Sequence, residues 1–532
     1  MEKERKNNRS LNRLFISTLT LIILTVWVIG LGEASSAPAA KPGGTLQTVL
    51  FPEPGSLDPH TEFFGSEVIV NLYNSLLRWD KQMTRLEPDL AESFSQPDDV
   101  TYVFKLRKGV RFHNIPPVNG RELTSQDVKY SIERMLGEHG EKARFPHRFR
   151  LAGQLESIAT PDPLTIIFKT KEPYAPFLNY IATFNASLVP REAVENFKDL
   201  RNQAIGTGPF MLKEWVRGSH IHLVRNPDYF RKGFPYLDGV KYSFAMSEAS
   251  FLSGMISGTV DFSGLFPAQI PALREKAPQL TLVKQKGMRT VVMRASPWFE
   301  NQLPKPPLDK KEVRKVMALA IDRNRLVKVA AGGMATPQIA SVPNWPPYSL
   351  DEKEPVEFNP AKGKRLLADA GYPNGVAIEV MALAFPDVMK AGQVVQEMLK
   401  EVGIQADLKP LPAAQWTNRM LKFDYQMWLG MLPPPCDPGQ ILTGSFGRTA
   451  TSYRWANQEI YQMVDEQNKT MDPKRRATLI QQTYRKLLEE GPDICLFATD
   501  RFWGFQPWVF PKDEYYFPFQ NYSFEGTWME KK

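Results

Sequence analysis

The sequence predicts an α/β protein assembled from more than one folding unit. Three observations predict it. The chain has 532 residues, more than one hydrophobic core serves, and at roughly 150 residues per domain two or three units are expected. Residues 98–136 read as strand, strand, turn and capped helix. Residues 359–409 alternate helix and strand signals, as a sheet covered by helices does.

Composition narrows the class. Apolar residues make up 42% and charged residues 23%, an ordinary soluble balance. The mean hydropathy of −0.34 excludes a multi-span membrane protein. Proline is abundant, at 44 residues, which implies many loops and fixed turns rather than a helical bundle. The formal net charge is +8. Five basic and three acidic side chains lie in residues 1–40, so the remainder carries +6, scattered without a basic block. Scattered charge argues against nucleic-acid binding.

Residues 1–40 read as an export signal. Lys3, Arg5, Lys6, Arg9 and Arg13 form a basic start, residues 14–31 are largely apolar, and the small residues 34–40 suit signal peptidase. An uncleaved anchor is the alternative, since the apolar run is at the lower limit for a span. Cleavage between Ser35 and Lys41 is expected.

A first strand follows Gly43-Gly44 and ends in the loop Phe51-Pro52-Glu53-Pro54. Residues 68–79 read as a helix running into an extended segment. Tyr102, Phe104 and Leu106 then alternate with Thr101, Val103, Lys105 and Arg107, the period of a strand. Lys108-Gly109 turns the chain, Val110 and Phe112 begin a second short strand, and Asn119-Gly120 is a turn dipeptide. Thr124 with Asp127 three residues on makes a capping box, and Val128, Ile132, Met135 and Leu136 repeat at helical spacing.

Residues 166–168 centre a strand. Gly206-Thr207-Gly208-Pro209 is not a phosphate loop, because a third Gly is missing and Pro209 removes a backbone donor. Residues 251–257 are a short helix, and Gly258 turns it toward a strand. The Pro-rich segment 297–307 is a candidate crossing between lobes. Residues 309–321 form a helix lined by Val313, Val316, Met317 and Ala320. Asn359 caps a helix with Pro360 at its first position and Gly371 at its stop. Strand 377–382, helix 389–402 and strand 405–409 follow. The aromatic-rich 495–510 returns to the first lobe.

Tyr102, Phe104, Leu106, Arg107, Gly109, Val110, Phe112 and His113, then Thr124, Asp127 and Val128, closely resemble the signature of the family 5 extracellular solute-binding proteins, the peptide- and nickel-binding components of ABC transporters. Leu57-Asp58-Pro59, residues 206–210, residues 224–230, Gly258 to Phe262, and Ala320 to Arg323 resemble other landmarks of that family. The resemblance covers nearly all of the chain after residue 41. It implies a two-lobed periplasmic-binding-protein fold (type II, the large peptide-binding class) with an extra subdomain in the first lobe. The implied parts are residues 41–75 and 201–295 for the first lobe, 76–200 for the extra subdomain, 296–490 for the second lobe, and 491–532 for a return to the first. It further implies a monomer at the outer face of the cytoplasmic membrane, without a cofactor, that encloses a peptide or peptide-like solute by hinge closure. Its partners are then that solute and a membrane permease.

The candidate ligand contacts on this reading are Glu53, Trp298, Trp428 and Asp437. Peptide-binding relatives carry an Asp for the ligand's α-ammonium where this chain has Pro434, when aligned on Asp437-Pro438. Asp437 either supplies that charge from a shifted position or shapes the turn. Cys436 and Cys495, the two cysteines, are either a disulfide or two buried thiols. His220-x-His222 reads as a solvated strand face, with no Cys or carboxylate nearby to complete a metal shell. No catalytic motif is present, so the chain is read as a binding protein rather than an exported hydrolase. The same fold serving a nickel complex, an opine or a sugar-like compound is the alternative to a peptide.

Overall fold

The computed structural model describes residues 40–511 and 523–530, apart from 52, 63–65, 81–84, 140–147, 149, 245–246, 342–344, 346, 351–356, 433–434, 449 and 451–452. The export signal and Pro434 therefore lie outside the described residues. Among the described residues no helix is long and apolar enough to cross a membrane.

One continuous mixed sheet runs through the molecule. Its order is Ile404–Leu411, Val376–Leu383, Met427–Leu432, Thr281–Ala295, Asp493–Phe505, Phe262–Leu265, Thr45–Val49, Gly239–Ser243, His220–Arg225 and Phe210–Val216. Strand Val376–Leu383 pairs parallel to both neighbours, and helix Pro386–Glu401 makes the connection to Ile404–Leu411. That is the alternation predicted for residues 359–409. A separate four-stranded sheet, Ala91–Ser95, Thr101–Leu106, Thr165–Thr170 and Leu155–Asp162, is packed against helix Ser125–Met135. Tyr102, Phe104 and Leu106 are its buried face. The capping box at Thr124 and Asp127 forms as expected, with the Thr124 N–H donating to Asp127 Oδ2 at 2.9 Å. The second short strand expected at Val110 and Phe112 is reduced to one bridge between Arg111 and Glu122, because the Asn119-Gly120 turn closes it at once.

Two large cores flank the middle of the sheet. The first gathers Leu46, Leu72, Phe104, Phe168, Phe210 and Tyr242, and takes in Trp503, Phe505 and Phe524 from the end of the chain. The second gathers Val291, Val316, Met381, Leu399, Trp428, Tyr453 and Phe497. Thr281–Ala295 and Asp493–Phe505 pair antiparallel and belong to both: Val283 and Trp503 lie in the first core, Val291 and Phe497 in the second. These strands are the crossings. The expected crossing at 297–307 is not one, because Trp298 and Leu308 are already packed on the second core. Between the pairs Gln285–Arg501 and Arg289–Thr499 the register shifts, so the first strand spends more residues than its partner. Such a bulge bends the strands and raises their twist.

Candidate ligand-binding site

The motif residues come together as a frame rather than a site. His113 Nε2 donates to Gly208 O at 3.1 Å, and its Nδ1 accepts from the Gly206 N–H at 3.2 Å. A Cβ on Gly206 or Gly208 would fall within 2.4 Å of the Leu72 backbone, so only glycine fits. The signature stretch and the Gly206–Gly208 turn therefore clamp the helix Ser66–Leu72 that ends beside them. Burial holds the His113 ring neutral, with its pKa down at about 4. His60 is a second buried imidazole. Its Nδ1 accepts from Arg134 at 2.8 Å while Arg134 pairs with Asp58, and burial and the Arg134 charge bring its pKa down to about 4.

Asp437 is completely buried and fully engaged. Its oxygens accept from Arg476 Nη1 and Nη2 at 2.8 and 2.6 Å, from Asn179 Nδ2 at 2.7 Å and from the Gly439 N–H at 2.8 Å. Burial opposes the Arg476 charge, and the Asp437 carboxylate overcomes it, holding the guanidinium above its ordinary range. Of the two readings of Asp437, the supply of charge to a cationic ligand finds that charge already answered inside the protein. The turn reading fits, since the carboxylate also caps its own loop. Asn179 belongs to the first-lobe helix Phe177–Ile181, so the same carboxylate bonds across the gap between the cores. The Ala175 N–H to Asn468 O bond at 2.8 Å and the Lys469–Glu172 ion pair cross at the same place.

The other three candidates are also committed. Glu53 accepts from Trp215 Nε1 at 2.9 Å and from the Gly218 N–H at 3.0 Å, which ties its loop to the adjacent hairpin. Trp298 packs edge-on against Trp455, with ring centroids 5.5 Å apart. Trp428 is buried edge-on against Trp416 at 5.1 Å, and the Arg294 guanidinium lies 5.4 Å from its ring. Cys436 and Cys495 are free thiols, which corrects the disulfide alternative. They belong to different cores: Cys436 donates to Gln440 Oε1 at 2.8 Å, and Cys495 lies 3.6 Å from Ser341 Oγ. Burial pushes both thiols up to about 12. A carboxylate does stand near the histidine pair, contrary to expectation, because hairpin pairing sets Glu214 opposite His222. Glu214 Oε1 is 3.3 Å from His220 Nε2 and 3.8 Å from His222 Nδ1. Among the described residues no group of three His, Cys, Asp or Glu side chains is placed to hold a metal ion.

A row that sequence reasoning missed lies on the crossing strands. Directly paired residues of an antiparallel ladder share a face, so Gln285, Arg501, Arg289 and Thr499 point the same way. That face meets helix Ser66–Leu72, because Arg501 Nη2 donates to Glu67 Oε1 at 3.2 Å. Arg501 also stacks on Trp503, 4.2 Å from the ring centroid. Gln285 is 2% exposed, yet neither amide atom has a hydrogen-bond partner. Glu67 Oε2 is buried and likewise without one. Arg289 is open to solvent and has no hydrogen-bond or ion-pair partner among the described residues. It is nonetheless ringed by protein: desolvation, then the Arg501 charge, pull its pKa below the ordinary guanidinium range, with Glu67 opposing. The opposite face is closed by the Lys284–Asp500 ion pair at 2.6 Å. The sequence held one signal for the row: Gly287 inside a strand pattern marks a bulge.

The frame, the two cores and the crossing strands meet a known pattern. The family model described as "Bacterial extracellular solute-binding proteins, family 5 Middle" matches residues 85–452. The chain belongs to family 5 of the bacterial extracellular solute-binding proteins. Its family 5 relatives include a protein named glutathione-binding protein GsiB from Salmonella choleraesuis (strain SC-B67), 27% identical over 405 residues, which span 75% of this chain and 76% of that one. Among solved structures it is similar to the ABC transporter-associated periplasmic binding protein DppA from Helicobacter pylori in complex with the peptide STSA. The TM-score is 0.81 and the identity 23%, over 92% of this chain and 99% of that one. It is also similar to the binding protein AgaA from A. tumefaciens R10 in complex with agropinic acid, with TM-score 0.78 and identity 26% over the same shares of the two chains. The fold of this family 5 protein is thus the two-lobed type II periplasmic-binding fold anticipated from the signature, and its class is solute binding.

Proposed function

We propose that this protein is the extracytoplasmic binding component of an ABC importer, taking up a peptide or peptide-like solute between its lobes and handing it to a membrane permease. The observation that carries this reading is the set of unsatisfied groups formed by Gln285 and Arg289, on the strands that join the two cores, and Glu67, on the helix against them. Buried polar groups of a finished protein are nearly all bonded. Orphans gathered at a hinge are groups whose partner arrives with a ligand. The family and the name of the GsiB relative support a peptide-like solute.

In this mechanism the solute first docks on the crossing strands, which belong to both lobes. Closure follows only as far as the solute touches both lobes at once. The Asn179–Asp437 and Ala175–Asn468 contacts then form without ligand participation and hold the closed state. No bond in the solute is broken.

Mass spectrometry of solute retained by the purified protein tests the reading, with peptides or peptide-like compounds as the expected finding. Small-angle scattering should show a smaller radius of gyration with solute; an unchanged radius at saturation counts against closure. Incubation with a peptide and ester library should leave the library intact. Export through residues 1–40 is part of the proposal, and a native N-terminus between Ser35 and Lys41 is the expected result of sequencing. Intact residues 1–34 on membrane-bound protein would establish the anchor instead. The likeness to AgaA favours one second reading, an opine-type amino-acid derivative as solute. The same mass spectrum separates the two.

A further inference from the structure

We propose that Arg289 is the specificity-determining residue of the solute site and that it receives a carboxylate carried next to an N–H group of the solute. The inference rests on the reading of the chain as a solute-binding protein and names the chemistry of its cargo.

Charge balance comes first. Among the described residues, the row and the helix against it bring together two guanidinium groups, Arg289 and Arg501, and one carboxylate, Glu67, whose Oε1 is bonded to Arg501. One positive charge is left over, and it resides on the residue without a partner. A guanidinium does not shed its proton at neutral pH, so a desolvated one needs a counter-ion. One surplus charge matches one carboxylate. A phosphate monoester brings close to two negative charges and would leave one of them unanswered beside Glu67.

Geometry points the same way. The guanidinium fork fits a planar carboxylate with two parallel hydrogen bonds. The neighbouring orphans complete the pattern. Gln285 offers an unused donor and an unused acceptor, and Glu67 Oε2 an unused acceptor, on the same face. A solute end with a carboxylate and an adjacent N–H uses the cation and the acceptors together. Peptide C-termini and N-substituted amino acids both have that end, and an isolated amine does not. The expected preference is therefore for an anionic end.

Position matters as well. Arg289 stands on a strand shared by both cores, at its bulge. A carboxylate caught there is held whether the lobes are open or closed, so the anionic end docks before closure begins.

The test uses the whole chain from residue 41, stripped of retained solute by unfolding and refolding. Four probes are offered: casein hydrolysate, the same hydrolysate after methyl esterification, a mixture of opine-type amino-acid derivatives, and the methyl esters of that mixture. Retained compounds are read by mass spectrometry and their affinities by calorimetry. The expected result is retention from an acid mixture and not from its ester. Arg289→Gln should then weaken the retained acid by about 30-fold or more, while changing binding of its ester by less than about 3-fold. Arg289→Lys, which keeps charge but loses the fork, should fall between. Wild-type and variant melting curves should agree to within a few degrees, since Arg289 has no hydrogen-bond or ion-pair partner among the described residues. Equal retention of acids and esters overturns the Arg289 assignment and leaves the peptide proposal standing. Retention of opine-type acids alone overturns the peptide proposal and leaves the Arg289 assignment standing. An Arg289→Gln variant that binds the acid as wild type does, or a wild type that retains neither acid mixture, overturns the assignment.

Discussion

Two places where the lobes meet differ in one respect. The Asp437 carboxylate is fully answered: two bonds from Arg476, one from Asn179, one from the Gly439 N–H. Beside Arg289 the groups are not: its guanidinium, the Gln285 amide and one Glu67 oxygen stand without hydrogen-bond partners among the described residues. Both places contain an acid and arginines, and both lie between the cores. The difference teaches that residue type does not identify a binding site; the account of bonds made and unmade does. A satisfied network resists change and holds the lobes together. An unsatisfied one costs free energy until something binds.

The comparison is broken most directly at Asp437. Asp437→Ala leaves the buried Arg476 guanidinium bonded to Gln467 but without a counter-charge, and should lower the unfolding free energy by about 3–5 kcal/mol. Affinity for free-amine and N-acetylated peptides should fall by the same factor. Chemical denaturation and titration calorimetry read both; a loss confined to free-amine peptides would return Asp437 to the ligand.

The satisfied frame has its own pH signature. His60 and His113 are neutral in the folded protein, with pKa values near 4 against an ordinary 6.5. Unfolded chains therefore bind more protons between pH 6.5 and 4, so stability is fully present above 6.5 and is lost as the pH falls toward 4. Each imidazole should contribute roughly 3 kcal/mol over that window. A His113→Gln variant should show a flatter profile of midpoint against pH; an unaltered slope would remove His113 from the account.

Asn179→Ala tests whether the Asp437 contact holds closure as well as structure. It deletes a hydrogen bond to a charged group, about 1.5–3 kcal/mol, and should open the liganded protein in scattering while leaving the second lobe folded. The smallest effect belongs to Arg289. Its removal relieves a desolvated charge, so Arg289→Gln should leave the solute-free protein as stable as the wild type or slightly more so. A clear destabilisation would show that Arg289 has a structural partner and that the two places are alike.

Legibility in the sequence followed distance along the chain. The Thr124–Asp127 box, the Asn359 cap that accepts from the Lys362 N–H, and the buried face Tyr102, Phe104 and Leu106 all act within a few residues, and all were readable. The Asn179–Asp437 bond spans 258 residues and the Arg476–Asp437 bond 39, and neither has a local pattern. Family likeness located the fold but drew attention to Glu53, Trp298, Trp428 and Asp437, four side chains that this protein spends on its own packing and bonding. No local pattern marks Arg289; only pairing with residues 499–501 shows which face it shares. The crossing was misplaced for a related reason. Proline density marks a rigid loop, whereas the actual crossing is made of paired strands with no punctuation except Gly287.

The strand Asp493–Phe505 also sets the order in which the molecule can be built. Phe262–Leu265 meets the earlier-made strand Thr45–Val49 on one side but finds its partner on the other side only in Phe502 to Phe505, and the first core closes over Trp503, Phe505 and Phe524. At 5–20 residues per second of synthesis, the interval between residue 262 and residue 505 is about 10–50 s. Through that interval the earliest-made half of the chain has an open sheet edge and an unfilled core, while the second core can assemble from a continuous stretch. The half made first is finished last, and a chain kept extended until it is complete never exposes a half-built lobe.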